Sequence, residues 1–147
     1  MTQKVPPHNL EAELSIIGGI MVEPEVFDVV SEVLSAEDFY KVAHQKIYQT
    51  ILELHAKSQP VDIITISNHL AHKKELDSIG GASTLAEILN QVPAAINIRG
   101  YADIVKEKSL LRKLIHANSE IIGQAYDESY ESLDSFVDEV EAKIFKI

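Results

Sequence analysis

Apolar residues along this chain recur every three or four positions rather than every second one. That spacing predicts helices over about 9–21, 24–33, 44–57, 62–73, 82–90, 98–125 and 133–146, and an all-α fold. In the first stretch Leu10, Leu14, Ile17 and Met21 form one helical stripe. Gly18 and Gly19 lie within it, where each costs a helix about 1 kcal/mol relative to alanine. Close packing against a neighbouring helix, or an early helix end, explains them better than a phosphate-binding loop. No strand precedes them and no Lys-Ser/Thr follows. Pro24 suits a first helical position, Asp62 after Pro60 suits an N-cap, and Gly80-Gly81 and Pro93 mark breaks. The β-branched run Val61-Asp62-Ile63-Ile64-Thr65-Ile66 would pass for a strand. Asp62 as cap, and the stripe that runs on from Ile66 to Leu70, favour a helix.

The last third changes character. Residues 98–125 form one long periodic stretch without proline, apolar on more than one narrow face. After the polar break 127–132, Leu133, Phe136, Val137, Val140, Ile144 and Ile147 repeat at helical intervals, with Ser132 as the N-cap. Two helices with a short connector make an αα-hairpin. Charge distinguishes them: the first carries Lys106, Lys108, Arg112 and Lys113, and the second carries Asp134, Asp138, Glu139 and Glu141. A hairpin has one seam and no further core, so apolar surface left on its outer faces marks an interaction site. The expected organisation is a globular helical subdomain over 1–97 and a protruding hairpin over 98–147 that self-associates. The periodicity nominates Leu111, Leu114, Ile115, Val137, Val140 and Ile144 for that surface.

Composition narrows the function. The chain has 147 residues, 46% hydrophobic and 24% charged, enough for a real core. It contains no cysteine, which excludes a disulfide framework and a thiolate nucleophile. No apolar run approaches the roughly 20 residues of a membrane span. The opening Met1-Thr2-Gln3-Lys4-Val5-Pro6-Pro7 lacks a signal-peptide core, so the chain reads as cytoplasmic. The net charge of −10 opposes tight DNA binding, which depends on Lys and Arg displacing counterions, and it suits a basic protein partner.

No catalytic constellation emerges. Phosphate-binding, dinucleotide, zinc-protease and nucleophile-elbow motifs are all missing, so no catalytic, cofactor-binding or metal residue is assigned. His69, His72 and Glu75, spaced three apart, have the spacing of metal ligands, although such pairs are common on solvated helix faces and no second cluster accompanies them. His44, just after Asp38-Phe39-Tyr40, suits packing or capping better than catalysis. The acidic run 127–141 suits a solvated face better than paired catalytic carboxylates. The basic residues of 106–113 suit pairing with the acidic arm or another acidic neighbour better than phosphate.

Several strings, in order, resemble the N-terminal domain of the bacterial replicative DNA helicase of the DnaB family. They are Pro6-Pro7-His8-Asn9-Leu10-Glu11-Ala12-Glu13 with Gly18-Gly19, Asp38-Phe39-Tyr40 with His44, Ile47 and Tyr48, and Pro60-Val61-Asp62-Ile63-Ile64-Thr65. Leu76-Asp77 with Gly80-Gly81 follows, then Pro93, Asn97, Tyr101-Ala102, Ile104-Val105, Lys108 and Arg112. Leu14 stands where glutamine is usual, Thr84 replaces an aromatic and Ile96 a small residue. The resemblance implies a non-catalytic assembly domain of packed helices plus a hairpin. It implies a dimer or larger assembly, six copies forming a collar in the parent, and docking of the C-terminal domain of primase. A helicase loader is a further possible partner. ATP and magnesium would belong to a RecA-like motor beyond this chain, in the bacterial cytoplasm. Two rival readings are the helicase-binding module of primase and a small helical DNA-binding protein.

Overall fold

Each periodic stretch of the sequence folds as a helix. A computed structural model of the chain describes residues 4–93 and 96–147, and among these there are seven α-helices and no strand. They are α1 (Leu10–Val22), α2 (Phe27–Val33), α3 (Val42–Ala56), α4 (Ile63–His72), α5 (Ala82–Gln91), α6 (Ile98–Asp127) and α7 (Leu133–Phe145). The residues Met1-Thr2-Gln3, read above for the lack of a signal-peptide core, lie outside the described residues. Three short 3-10 turns, Pro24–Val26, Ala36–Asp38 and Asp77–Ile79, join helices. The first of them occupies the start of the helix expected over 24–33, with Pro24 at its first position.

The helix ends follow local side-chain chemistry. The Asn9 side chain accepts from the Ala12 amide at 2.9 Å and starts α1. Asp62 and Thr65 cap each other reciprocally, which settles the β-branched run 61–66 as the start of α4. Ser132 accepts from the Ser135 amide and starts α7. Three helices end through left-handed residues that are not glycine: Ser58, Lys74 and Glu128 have φ of 55°, 59° and 51°. Behind each, an amide reaches back five residues, from Gln59 to the Leu54 carbonyl, Glu75 to Leu70 and Ser129 to Gln124.

The chain forms two compact units, one of residues His8–Glu107 and one of Met1–Pro7 with Lys108–Ile147. The larger unit holds the core. Ile16, Ile17 and Ile20 of α1 are fully buried, as are Ile47, Tyr48 and Ile51 of α3, Ile66 and Leu70 of α4, and Leu85 of α5. α1 is buried on more sides than its expected single stripe: Leu10 is exposed and Leu14 half-buried, while Ala12, Ile16 and Ile20 lie in the core. Packing against both α5 and α3 accounts for this. Gly18 permits the approach to α5, since a Cβ there would collide with the Val92 side chain. The Tyr48 hydroxyl donates to the Leu34 carbonyl at 3.0 Å. Burial, and then the charge of Asp38, push it above the ordinary tyrosine range.

A buried carboxylate ties α1 to α3. Glu13 is 1% exposed. Its Oε2 accepts from the Tyr40 amide at 2.8 Å, and its Oε1 from the Lys41 amide at 3.3 Å and His44 Nδ1 at 2.8 Å. Lys41 occupies the N-cap position of α3 and supplies no side-chain cap. A glutamate on α1 therefore serves amides next to the start of α3. His44 packs and orients this pair, as its sequence context suggested.

Candidate self-association surface

The hairpin unit starts from a shortage of neighbours. Among the described residues of 108–147, Ala117 and Phe136 are the only hydrophobic side chains that are buried. Ile121 and Val140 are half-buried. Tyr130 of the connector stacks on Phe136, with ring centroids 5.0 Å apart and planes 9° from parallel. Lys143 of α7 donates to Glu120 Oε2 at 2.8 Å, and His116 lies 2.8 Å from Glu120 Oε1. The Lys143 hydrogen bond holds the Glu120 carboxyl below its ordinary range, with His116 adding to it. Arg112 donates to the Pro7 carbonyl at 2.8 Å, tying Pro7 to α6.

What the seam leaves over is apolar. Leu111, Leu114, Ile115, Ile122 and Tyr126 are exposed, at intervals that place them on one stripe of α6. Leu133, Val137 and Ile144 are exposed on a stripe of α7. Of the six residues nominated from the sequence, Leu111, Leu114, Ile115, Val137 and Ile144 are thus exposed and Val140 half-buried. Sequence reasoning missed Ile122, Tyr126 and Leu133, which are among the most open, Tyr126 at 85%. Their signal was present: Ile122 continues the register of Ile115, and Leu133 stands four before Val137. An open groove of about 410 Å³ lies beside Ile122, Ala125 and Tyr126. Asp134, Asp138, Glu139 and Glu141 are exposed on α7, and Asp127, Glu128 and Glu131 precede them. The helical face is solvated, as expected of the acidic run.

Such a surface performs no bond chemistry, but it can bind. Fully burying one Leu or Ile side chain contributes roughly 1.5–3 kcal/mol. The exposed apolar residues of α6 and α7 are partly covered already, so covering them would contribute a fraction of this each, set against the roughly 4–15 kcal/mol that association costs.

The other nominated chemistry resolves into structural pairs. His69 Nε2 lies 2.9 Å from Glu53 Oε2, and Lys73 donates to the same carboxylate at 2.6 Å. Lys73 first, then His69, hold Glu53 below its ordinary range. Glu75 pairs with Lys46 at 3.7 Å, and His72 is exposed. Among the described residues no three His, Asp or Glu side chains are grouped to hold a metal ion. Lys106 reaches Asp38 at 3.4 Å, so its acidic neighbour is in the larger unit and not in α7. No helix of the described residues is long and apolar enough to cross a membrane.

Comparison with known proteins extends this picture. The family described as DnaB-like helicase N terminal domain matches residues 5–107. The chain is 40% identical over 147 residues to the replicative DNA helicase DnaC of Bacillus subtilis (strain 168), covering all of this chain and 32% of that protein. It is 38% identical over 146 residues to the replicative DNA helicase DnaB of Geobacillus stearothermophilus, covering 99% of this chain and 32% of that protein. The chain thus spans about a third of the length of these relatives. Among solved structures, the N-terminal domain of DnaB helicase from Mycobacterium tuberculosis superposes with a TM-score of 0.88 at 36% identity, covering 97% of this chain and 100% of that one. The N-terminal domain of DnaB helicase from Helicobacter pylori, described with its interactions with primase, gives 0.70 at 26% identity over 79% of this chain and 90% of that one.

Proposed function

The chain belongs to the family of DnaB-like helicase N-terminal domains, and from that premise we propose that it is a non-catalytic assembly module whose hairpin pairs with the hairpin of a second copy. The observation that carries this reading is the contrast in burial. The larger unit buries Ile16, Ile17, Ile20, Ile47, Ile51, Ile66, Leu70 and Leu85 and leaves Leu10 and Ile64 as isolated exposed positions, whereas the hairpin presents Leu111, Leu114, Ile115, Val137 and Ile144 to water together, with Val140 at the margin. In a parent protein, six copies paired in this way would form a collar that holds the motor domains at high local concentration. ATP and magnesium would act in that RecA-like motor in the bacterial cytoplasm. The C-terminal domain of primase would dock on the collar and couple unwinding to priming, as suggested by the primase interactions described for the similar helicases. A helicase loader would be a further partner. DNA contact by this domain would be weak, in keeping with its net charge of −10.

Solution mass by light scattering across a range of concentrations tests the pairing. The unaltered chain should form dimers or larger species. The double variant Val140→Glu/Ile144→Glu should be a monomer with unchanged helicity by circular dichroism. An unchanged mass in the folded variant would place the interface elsewhere.

A further inference from the structure

A second apolar surface lies in the larger unit and uses none of the residues assigned to pairing. An open groove of about 330 Å³ runs between the end of α1, the Pro24–Val26 turn, the end of α5 and the start of α6. Val22, Leu89, Val92 and Ile98 line it, and Gly19 belongs to its floor. Val22 is 64% exposed, and the other three are half-buried. A Cβ on Gly19 would stand 3.3 Å from Ile98 Cδ1, so glycine keeps the floor low. The volume falls within the roughly 300–1,000 Å³ of typical ligand sites and suits one or two apolar side chains.

The one charged side chain in the lining of this groove is acidic, and two negative helix ends stand beside it against the single positive end of α6. Glu23 is part of its wall, and Glu25 is exposed on the Pro24–Val26 turn that forms it. The sequence has no Lys or Arg between Lys4 and Lys41, or between Lys74 and Arg99, the two stretches that supply the walls. Arg99, the nearest cation along the chain, pairs with Asp103 at 3.2 Å. Two helices also end here. α1 and α5 each bring a C-terminus, the negative end of the helix dipole, and neither has a basic residue in its last turn. Lys, Arg or His near a helix C-terminus commonly meets that partial charge. Neither helix supplies one from its own last turn, beside an apolar slot.

We propose that this groove docks a cationic amphipathic helix of another protein, which inserts an apolar side chain between Val22, Leu89 and Val92 and sets its lysines or arginines against Glu23 and the two helix ends. Apolar anchors seated in a groove and flanked by complementary charge are the usual build of helix-in-groove recognition. A second copy of this chain fits less well. Its cationic stretch is 106–113, where Lys106 is held by Asp38 and Arg112 by the Pro7 carbonyl.

The test uses the 147-residue chain with labelled Ile, Leu and Val methyls. The probe is a synthetic helical peptide of about four turns with leucines on one face and lysines on the other. The methyls of Val22, Leu89, Val92 and Ile98 should shift on titration. Versions of the peptide with Glu for Lys, or Ser for Leu, should leave them in place. Val22→Lys should weaken the binding read at Val92 about tenfold or more, and Glu23→Lys should do so in a second background if the first variant folds poorly. Shifts confined to Leu133 and Val137 of the hairpin would overturn the proposal, as would no shift at all or equal binding of the Ser-for-Leu peptide. Val22→Lys should leave solution mass unchanged. A lower mass would assign the groove to contact between copies and overturn the proposal, whereas failure of hairpin pairing alone would leave it standing.

Discussion

In the unit of residues 8–107, Ile16, Ile17, Ile20, Ile47, Ile51, Ile66 and Leu70 have no contact with water. In the hairpin, Leu111, Leu114, Ile115, Ile122 and Tyr126 form an open stripe, and Leu133 on the facing arm is 63% exposed. Both regions have the same helical periodicity and comparable apolar residues. They differ in the number of elements that surround each helix. α1 has α3 and α5 against it, whereas in the hairpin unit α6 and α7 meet through Lys143 and Glu120, and only Ala117 and Phe136 are buried among the hydrophobic side chains described there. Periodicity therefore reports which residues share a stripe, and the tertiary neighbours decide what covers it.

Matched truncations break this comparison most directly. In the monomeric Val140→Glu/Ile144→Glu background, Ile17→Ala should cost about 2–5 kcal/mol, the usual range for emptying a buried aliphatic site, while Leu133→Ala should change stability by about 0.5 kcal/mol or less. Urea unfolding followed by tyrosine fluorescence reads both, and equal losses would mean that Leu133 is covered in solution. Next in size is Glu13→Ala. It leaves the buried His44 and the part-buried Tyr40 and Lys41 amides without their acceptor, with an expected loss of about 3 kcal/mol. Glu13→Gln should lose less, because an amide oxygen still accepts.

Lys74→Gly should act in the opposite direction. The left-handed backbone at φ 59° carries a steric cost that glycine lacks, so thermal melting should show a gain of up to about 1 kcal/mol. The smallest effect belongs to the hairpin ion cluster. The folded-state pKa of Glu120 is depressed, so its contribution is present above the ordinary glutamate range and is lost as pH falls through the folded value. Glu120→Gln should thus melt slightly lower than the unaltered chain at neutral pH, and the gap should close once acid has protonated Glu120. A gap that persists in acid would assign the difference to packing.

Much of the fold was legible because the helices announce their own ends. Asp62 and Ser132 are short polar side chains placed before apolar stripes, and each caps as its chemistry suggests, while Asn9, read as the first residue of a helix, turns out to cap it. The 3-10 turns Ala36–Asp38 and Asp77–Ile79 were not legible, since three residues carry no period. Nor was the burial of Glu13. A carboxylate on an amphipathic helix reads as solvated, and only the arrival of Tyr40, Lys41 and His44 gives it partners. On the hairpin the stripe was visible in the spacing, but exposure depends on missing neighbours, which spacing does not record. Val140 and Tyr126 show the difference: the first was nominated and is half-buried, the second was passed over and stands open.

The Glu13 carboxylate also bears on how the chain folds. The amides of Tyr40 and Lys41 lie outside any helix of their own, and their acceptor is 27 and 28 residues away in sequence. Neither α1 nor the start of α3 can be desolvated alone without leaving a carboxylate or two donors unmet. The contact therefore couples the two helices: opening either one would strip the other of its polar partners. Such coupling would make the pair one cooperative unit, joined by a polar contact at the edge of an apolar core.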